Sequence, residues 1–317
     1  MKKKFNIIFM GTPDFAVPSL KALNKYDCDI SLIITQPDRP SKRGRKLTPS
    51  PVKITAQNLG FNNIIQPQTI NDPEIIKKIK ALNPDLFVVV AFGHKLFREI
   101  LSIPCIYPIN IHASLLPSYR GSSPIQAAIL NMDKETGVTT IIMDENLDTG
   151  DILLSSRTYL SSHENYQDLH DRLSQMGADL IIKTLDGISK NQIKPRKQGQ
   201  KNASFAPMLR KNHGKINWNI DSEKINSHVR AMTPWPGAFT YLNEKNIKIF
   251  KTKYKKDKTG FKPGTIFLCN KQGIHVAAGV GSVVILELQE ASKKRLLSHE
   301  FLRGKKIEIG TIFDDYK

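Results

Sequence analysis

The sequence predicts an α/β protein in which a doubly wound, mostly parallel sheet is followed by a smaller β-barrel domain. Three observations lead to this fold. Strand and helix patterns alternate through the first 189 residues, which is typical of a parallel sheet with helices on both faces. The run 86–91 is apolar throughout, as expected of a central strand buried on both sides. After residue 208, short strand patterns follow one another closely, which indicates a small barrel.

The first half alternates apolar runs with helical patterns. The runs predict strands at Phe5–Met10, Asp29–Thr35, Asp85–Ala91, Ile109–His112 and Val138–Met143. Helices are predicted at Pro13–Leu23, Pro49–Asn58, Asp72–Leu82, Pro124–Leu130 and Tyr166–Ile188, where proline often suits the first turn. Ligands of such sheets bind outside the carboxyl ends of the strands. Phe92, Gly93 and His112 fall at those ends.

The second half reads as a linker and a separate domain. Residues 190–207 are polar and without periodicity, so we interpret them as a linker between a domain at 1–189 and a domain at 208–317. Strands are predicted beyond it at Lys248–Lys253, Gly264–Leu268, Gly273–Ala277 and Val283–Leu288.

Charge is distributed unevenly between these halves. The chain carries a formal +18. Residues 190–317 hold 26 Lys and Arg against 10 Asp and Glu, or +16, whereas residues 1–189 hold 21 against 19, or +2. A basic face can be merely solvated. An excess confined to one domain instead favours a polyanionic partner such as nucleic acid.

The first half contains one basic cluster, within the stretch 39–46. Its five cations lie in a segment with Pro and Gly and no strand or helix pattern, and they are Arg39, Lys42, Arg43, Arg45 and Lys46. A charged, mobile connection is the alternative to a binding loop.

Targeting, membrane and metal signals are weak. No run of 18 apolar residues predicts a membrane span. The basic start resembles that of a signal peptide, but the apolar run after it is too short and has no cleavage site, so we expect a cytoplasmic protein. The three cysteines are widely spaced, which predicts reduced thiols, and no spacing predicts a metal site.

Three polar residues with complementary chemistry lie between Asn110 and Asp151. Asn110 and His112 are two apart, so both side chains point to one face if the segment is extended. An amide donor and a titratable imidazole form a plausible oxyanion-stabilising pair. Asp148 could orient His112 and stabilise its cation. The alternatives are a hydrogen-bonded core histidine and an ordinary Asp-Gly turn.

These residues stand in motifs that resemble the 10-formyltetrahydrofolate-dependent formyltransferase family. The wider family pattern matches Asn110, His112, Ser114–Pro117, Gly121 and Asp148. Further matches resemble the branch acting on initiator methionyl-tRNA, and they lie at Phe9–Phe15, Thr35–Pro40, Pro117–Gln126 and Pro234–Pro236. The sequence departs from the family at Ala113, where Gly is common, and at Tyr119, where Trp is common.

The resemblance implies a fold and a reaction. It predicts a Rossmann-like first domain, an OB-like second domain that binds tRNA, and transfer of a formyl group from 10-formyltetrahydrofolate to the α-amine of methionine on initiator tRNA. Asn110, His112 and Asp148 would be catalytic. Negative charge develops on oxygen during the attack, where preorganised donors stabilise it. No metal is expected, and the chain is expected to act as a monomer.

The resemblance also implies binding residues for both substrates. Folate contacts are predicted at Phe92, Gly93, Ser114, Leu115, Leu116 and Pro117. The basic cluster would enter the acceptor stem of the tRNA, with Arg43 as its central arginine. Two alternatives remain: a folate-dependent formyltransferase acting on an amino sugar nucleotide or on glycinamide ribonucleotide, and a non-catalytic RNA-binding protein on the same scaffold.

Overall fold

The computed structural model describes residues 4–41 and 46–314, with backbone alone at residues 41 and 46. The chain divides into two compact units. Unit 1 comprises Met1–Pro124, Glu135–Tyr159 and His170–Ala206. Unit 2 comprises Ile125–Lys134, Leu160–Leu169 and Pro207–Lys317.

Unit 1 is built on a seven-stranded sheet. The strands of this unit are β1 (Phe5–Gly11), β2 (Cys28–Ile34), β3 (Arg39–Ser41), β4 (Lys46–Thr48), β5 (Ile64–Ile65), β6 (Leu86–Val90), β7 (Tyr107–His112), β8 (Arg120–Gly121), β9 (Glu135–Ile142), β10 (Ile152–Tyr159) and β11 (Phe205–Ala206). The sheet order is β10-β9-β7-β6-β1-β2-β5, with β9 antiparallel to both of its neighbours and the other pairs parallel. This confirms the predicted, mostly parallel sheet.

Several helices begin at a proline or at a capping side chain. They are α1 (Val17–Lys25), α2 (Pro51–Asn58), α3 (Pro73–Ala81), α4 (Arg98–Leu101), α5 (Pro124–Leu130) and α6 (Tyr166–Ser189). Ser50 Oγ accepts from the Lys53 N–H at the start of α2, and Asp72 caps α3. The helix predicted from Pro13 instead starts with a 3₁₀ turn at Asp14–Ala16.

The core of unit 1 follows from the apolar strands. All five residues of β6 are buried, and β6 lies between β1 and β7. The continuous apolar run therefore marks a central strand, as predicted. This arrangement brings the carboxyl ends of β1, β6 and β7 to one edge of the sheet, where the candidate site lies.

The predicted linker is an ordered part of unit 1 as far as Ala206. Arg196 exchanges backbone hydrogen bonds with Ile152, and β11 pairs with β8. Gln198 is buried. A polar sequence without periodicity hides this packing because the segment uses hydrogen bonds rather than an apolar face.

Unit 2 contains an antiparallel sheet, which confirms the prediction of a second, β-rich domain. Its strands are β12 (Ala238–Leu242), β13 (Lys245–Lys255), β14 (Ile266–Asn270), β15 (Gly273–Ala277), β16 (Ser282–Glu290) and β17 (Leu296–Leu297). The order is β12-β13-β16-β15-β14, and β17 also pairs with β16. Two helices accompany it, α7 (Ser222–Met232) and α8 (Ser298–Gly304), together with a 3₁₀ turn at Lys211–Gly214.

Candidate active site

Asn110 and His112 lie among the last three residues of β7. Their positions two residues apart give both side chains one face, as predicted. Asn110 pairs with Val89 of β6, and His112 pairs with Thr139 of β9, so strands hold them on both sides. His112 is only 6% exposed, whereas Asn110 is half-buried. The pair is therefore rigidly placed at the edge of the sheet.

Asp148 reaches this pair from the turn after β9. Its Oδ2 accepts a hydrogen bond from the Gly121 N–H at 2.8 Å, and its Oδ1 accepts from Asn110 Nδ2 at 3.3 Å. His112 Nδ1 lies 3.6 Å from Oδ2, which is longer than a good hydrogen bond but close enough for strong attraction to an imidazolium. The structure thus brings the three predicted catalytic residues together.

The second ring nitrogen of His112 fixes the tautomer. Nε2 lies 2.9 Å from the carbonyl oxygen of Tyr119. A carbonyl can only accept, so Nε2 carries a hydrogen in this arrangement. Nδ1 then faces the Asp148 carboxylate and is the nitrogen at which a proton can be gained or lost. The Nε2–H of His112 is therefore used in the hydrogen bond to Tyr119 and is not available to stabilise an oxyanion. Asn110 remains as the amide donor at the end of the strand.

The Ser114–Pro117 loop is largely buried. Ser114 has no exposed surface and donates to the Ser118 carbonyl, while Thr139 Oγ1 donates to the Ser114 carbonyl at 2.7 Å. Leu116 packs in a small cluster of its own with strand residues of the sheet. Only Leu115 and Pro117 are half-exposed. These two are the side chains of the loop that a ligand could contact directly.

Phe92 and Gly93 follow β6 and differ in what they offer. The Phe92 ring is 3% exposed and belongs to the core, and its carbonyl accepts from Thr12 Oγ1 at 2.9 Å. Gly93 is exposed and has φ +88°, a conformation that favours glycine. A Cβ at this position would lie 3.5 Å from Gln36 Nε2. The backbone of Gly93 is therefore accessible to a ligand, while the buried Phe92 ring packs in the core and holds this backbone in place.

Two buried nitrogens without partners lie around Gly93. Among the described residues, Gln36 Nε2 and His94 Nε2 have no hydrogen-bond partner. Burial lowers the pKa of His94, which therefore favours the neutral ring. Native proteins rarely leave such groups unpaired. Polar groups of this kind beside an exposed glycine fit a heterocyclic ligand rich in donors and acceptors.

The basic cluster is anchored at its first residue. Arg39 Nη2 donates to Gln36 Oε1 at 2.9 Å, and Asp38 forms an ion pair with Lys53 at 2.8 Å. The strands β3 and β4 pair around the cluster. Lys42, Arg43 and Arg45 lie outside the described residues, and only the backbone of Lys46 is described.

Arg120 and Gln198 were not predicted as site residues. Arg120 is 2% exposed, and its Nε and Nη2 donate to Gln198 Oε1 at 3.1 and 2.9 Å. Gln198 Nε2 donates to the carbonyl oxygen of Asp148 at 2.8 Å. No local sequence pattern could reveal the contact between Gln198 and Asp148, because these residues are 50 positions apart in sequence.

Comparison with known proteins places the chain. A formyl transferase family model matches residues 3–185, and a model of the formyl transferase C-terminal domain matches residues 208–306. The methionyl-tRNA formyltransferase of Citrifermentans bemidjiense is 46% identical over 96% of this chain and 95% of that protein. The chain belongs to the methionyl-tRNA formyltransferase family. The two family models together match residues of both units.

Solved structures share the fold of this formyltransferase. WlaRD, a sugar 3N-formyl transferase determined in the presence of dTDP and 5-N-formyl-THF, has a TM-score of 0.67 at 22% identity, covering 92% of this chain and all of that one. HypX from Aquifex aeolicus in complex with tetrahydrofolic acid has a TM-score of 0.64 at 16% identity, covering 99% of this chain and 51% of that one.

The described part of the chain holds neither a group of metal-ligating side chains nor a membrane-spanning helix. In the ranges 4–41 and 46–314, no three His, Cys, Asp or Glu side chains are grouped so that they could hold a metal ion. Within the same ranges, no helix has the length and apolar character needed to cross a membrane.

Proposed function

We propose that this formyltransferase transfers the formyl group of 10-formyltetrahydrofolate to the α-amine of methionine on initiator tRNA, in the cytoplasm and as a monomer. The observation that carries the proposal is the convergence of Asn110, His112 and Asp148 at the carboxyl end of β7. Family membership adds support. Unit 1, which includes the predicted linker as far as Ala206, performs the chemistry, and residues 208–317 bind tRNA.

The catalytic residues divide the work of the transfer. The folate supplies the formyl carbon that the neutral methionyl amine attacks. Asn110 Nδ2 donates a hydrogen bond to the formyl oxygen as negative charge develops there, an interaction typically worth about 3 kcal/mol. His112 Nδ1 takes up the proton that leaves the amine, and the Asp148 carboxylate, 3.6 Å away, stabilises the imidazolium. The imidazolium then returns this proton to N10 of the folate as the bond between N10 and the formyl carbon breaks, which releases tetrahydrofolate and restores the neutral ring. No covalent enzyme intermediate is required.

Folate is bound at the loops that follow β6 and β7. The backbone of Phe92 and Gly93 would meet the edge of the pterin, and the half-exposed side chains of Leu115 and Pro117 would pack against it. Ser114 and Leu116 would hold the loop in shape. The unpaired Gln36 Nε2 and His94 Nε2 near Gly93 support a ligand with many donors and acceptors here.

Binding of tRNA is assigned to the basic cluster and to unit 2. Arg39, Lys42, Arg43, Arg45 and Lys46 would enter the acceptor stem. In β13, the outward side chains include Lys248, Lys251, Lys253 and Lys255, each exposed, while Ile247 and Ile249 point inward. Such a row of cations suits the evenly spaced phosphates of nucleic acid. An amino sugar nucleotide or glycinamide ribonucleotide would have no need of it.

Formylation assays with four acceptors test the proposal. Charged initiator tRNA, free methionine, an amino sugar nucleotide and glycinamide ribonucleotide would each be offered with 10-formyltetrahydrofolate. We expect transfer to the charged tRNA at a kcat/KM at least about 10³-fold above the others, because remote binding energy positions the amine. Preference for either small acceptor would refute the proposal, and tRNA binding without transfer would favour the non-catalytic alternative.

A further inference from the structure

The segment Arg196–Ala206 is hydrogen-bonded to unit 1 beside the candidate active site. Its first residue pairs with Ile152 through two backbone hydrogen bonds of 2.8 and 2.9 Å. Its last two residues form β11, which pairs with β8. Between these ends, Ser204 accepts from the Arg120 N–H through its carbonyl and from the Tyr119 N–H through Oγ. The segment therefore runs beside both loops that serve His112 and Asp148.

Gln198 bridges those two loops with a single amide. Its Nε2 donates to the carbonyl oxygens of Asp148 and Gly150 at 2.8 and 2.7 Å. Its Oε1 accepts from Arg120. Two carbonyls can only accept and a guanidinium can only donate, so the orientation of the amide is determined by its partners. At 9% exposure the bridge is nearly closed to water.

Both loops adopt backbone conformations that need support. Asp148 has φ +54° and Tyr119 has φ +61°, and neither is a glycine. Left-handed conformations at such residues persist where surrounding contacts hold them. The Asp148 turn carries the carboxylate, and the Tyr119 carbonyl accepts from His112 Nε2. A change in either loop would move one of the groups that set the position and charge of His112.

We propose that Gln198 is a positioning residue for formyl transfer: it holds the Asp148 turn against the Tyr119–Gly121 loop, so that Asp148 Oδ2 faces His112 Nδ1. Gln198 acts through Asp148 and does not touch either substrate. The inference rests on the proposed function, since formylation is the activity by which positioning is measured. Arg120 completes this connection, because its guanidinium donates to the amide oxygen of Gln198 and its own backbone is part of the Tyr119–Gly121 loop.

Two substitutions separate the donor from the acceptor of this amide. Gln198→Glu keeps an oxygen for Arg120 but places a second oxygen against the two carbonyls. Gln198→Met keeps the volume and removes both functions. Gln192→Glu is the matched control, because it makes the same charge change at an exposed position six residues before Gln198.

The readouts are kcat and KM for charged initiator tRNA, together with the unfolding temperature. We expect both Gln198 variants to lose at least about tenfold in kcat with KM for tRNA little changed, because small displacements of catalytic groups are costly in rate. The control should match the parent. A Gln198→Glu enzyme that is folded and keeps the parent kcat would overturn the proposal, whatever the stability of Gln198→Met.

A double-mutant cycle distinguishes positioning from general structural support. If Gln198 acts through Asp148, Gln198→Glu should lower kcat by less than about threefold in an Asp148→Asn background, although it costs at least tenfold in the parent. Fully multiplicative losses would contradict the coupling and overturn the proposal. Failure of the parent to formylate tRNA would instead refute the proposed function, so the two outcomes are distinguishable.

Discussion

Replacing Asp148 with Asn keeps the shape of the side chain and removes its charge. Asp148 Oδ2 now accepts from the Gly121 N–H at 2.8 Å and lies 3.6 Å from His112 Nδ1, while Oδ1 accepts from Asn110. The amide can present one oxygen only. Either Gly121 or Asn110 must then face the new NH₂ group, donor against donor, and the His112 cation loses its negative partner.

The expected loss follows from the distance. At 3.6 Å, and with an effective dielectric constant of about 20, a carboxylate attracts an imidazolium by roughly 4–5 kcal/mol. Both side chains are well shielded, at 6% and 12% exposure, so screening by solvent is limited. Since each 1.36 kcal/mol is a factor of ten in rate, we expect kcat to fall by about 10³–10⁴-fold. The KM for tRNA should stay close to that of the parent.

Steady-state formylation at saturating folate and tRNA measures this loss. Glu145→Gln is the matched control, because Glu145 is an exposed carboxylate three residues away. It should leave kcat unchanged. If Asp148→Asn kept more than about a third of the parent kcat, the attraction worked out from the geometry would not contribute to the transition state, and Asp148 would be a turn residue.

Four further outcomes are expected. Gly121→Ala should lower both the unfolding temperature and kcat, since φ is +116° and the new Cβ would lie 2.7 Å from the Ala206 carbonyl; parent-like melting would refute this. Burial lowers the pKa of His170, but hydrogen bonds to Asp14 and Asp171 raise the pKa by more, so that the net shift is upward. Its cation therefore stabilises the fold below about pH 6.5, and that stability is lost as pH rises through the raised value; melting curves of Asp14→Asn should show a weaker pH dependence. The logarithm of the association constant for tRNA should fall linearly with the logarithm of the salt concentration, with a slope of roughly 0.7–0.9 per phosphate contact. Arg43→Ala should lower kcat more than it lowers affinity for tRNA. A loss of affinity alone would make Arg43 a phosphate contact.

The sequence predicts the catalytic strand because its signals are local. Alternating elements identify β7 as a strand that ends at His112, and the spacing of two places Asn110 on the same face. The burial of β6 likewise follows from one apolar run. Each of these inferences needs only neighbouring residues and the general rule that ligands bind at the carboxyl ends of parallel strands.

Elements with mixed composition escape such reasoning. The strand β10 begins with two buried residues and then alternates half-buried with exposed ones, and α7 buries polar side chains such as Asn226, whose amide donates to Thr252. In both elements the apolar pattern is therefore short or interrupted by polar residues. The same limit applies to the site. The contacts of Gln198 with Asp148 and Arg120 depend on tertiary packing of a polar segment, which has no periodic signal to read.

Asn110→Ala removes the amide donor at the end of β7 on which the proposed chemistry depends. Single-turnover formylation, with enzyme, charged initiator tRNA and folate at saturation, isolates the transfer step from binding and product release. We expect the rate to fall by at least about a hundredfold, the usual effect of removing one oxyanion donor, while the tRNA dissociation constant is unchanged. A transfer rate within a few fold of the parent would show that Asn110 does not stabilise the oxyanion.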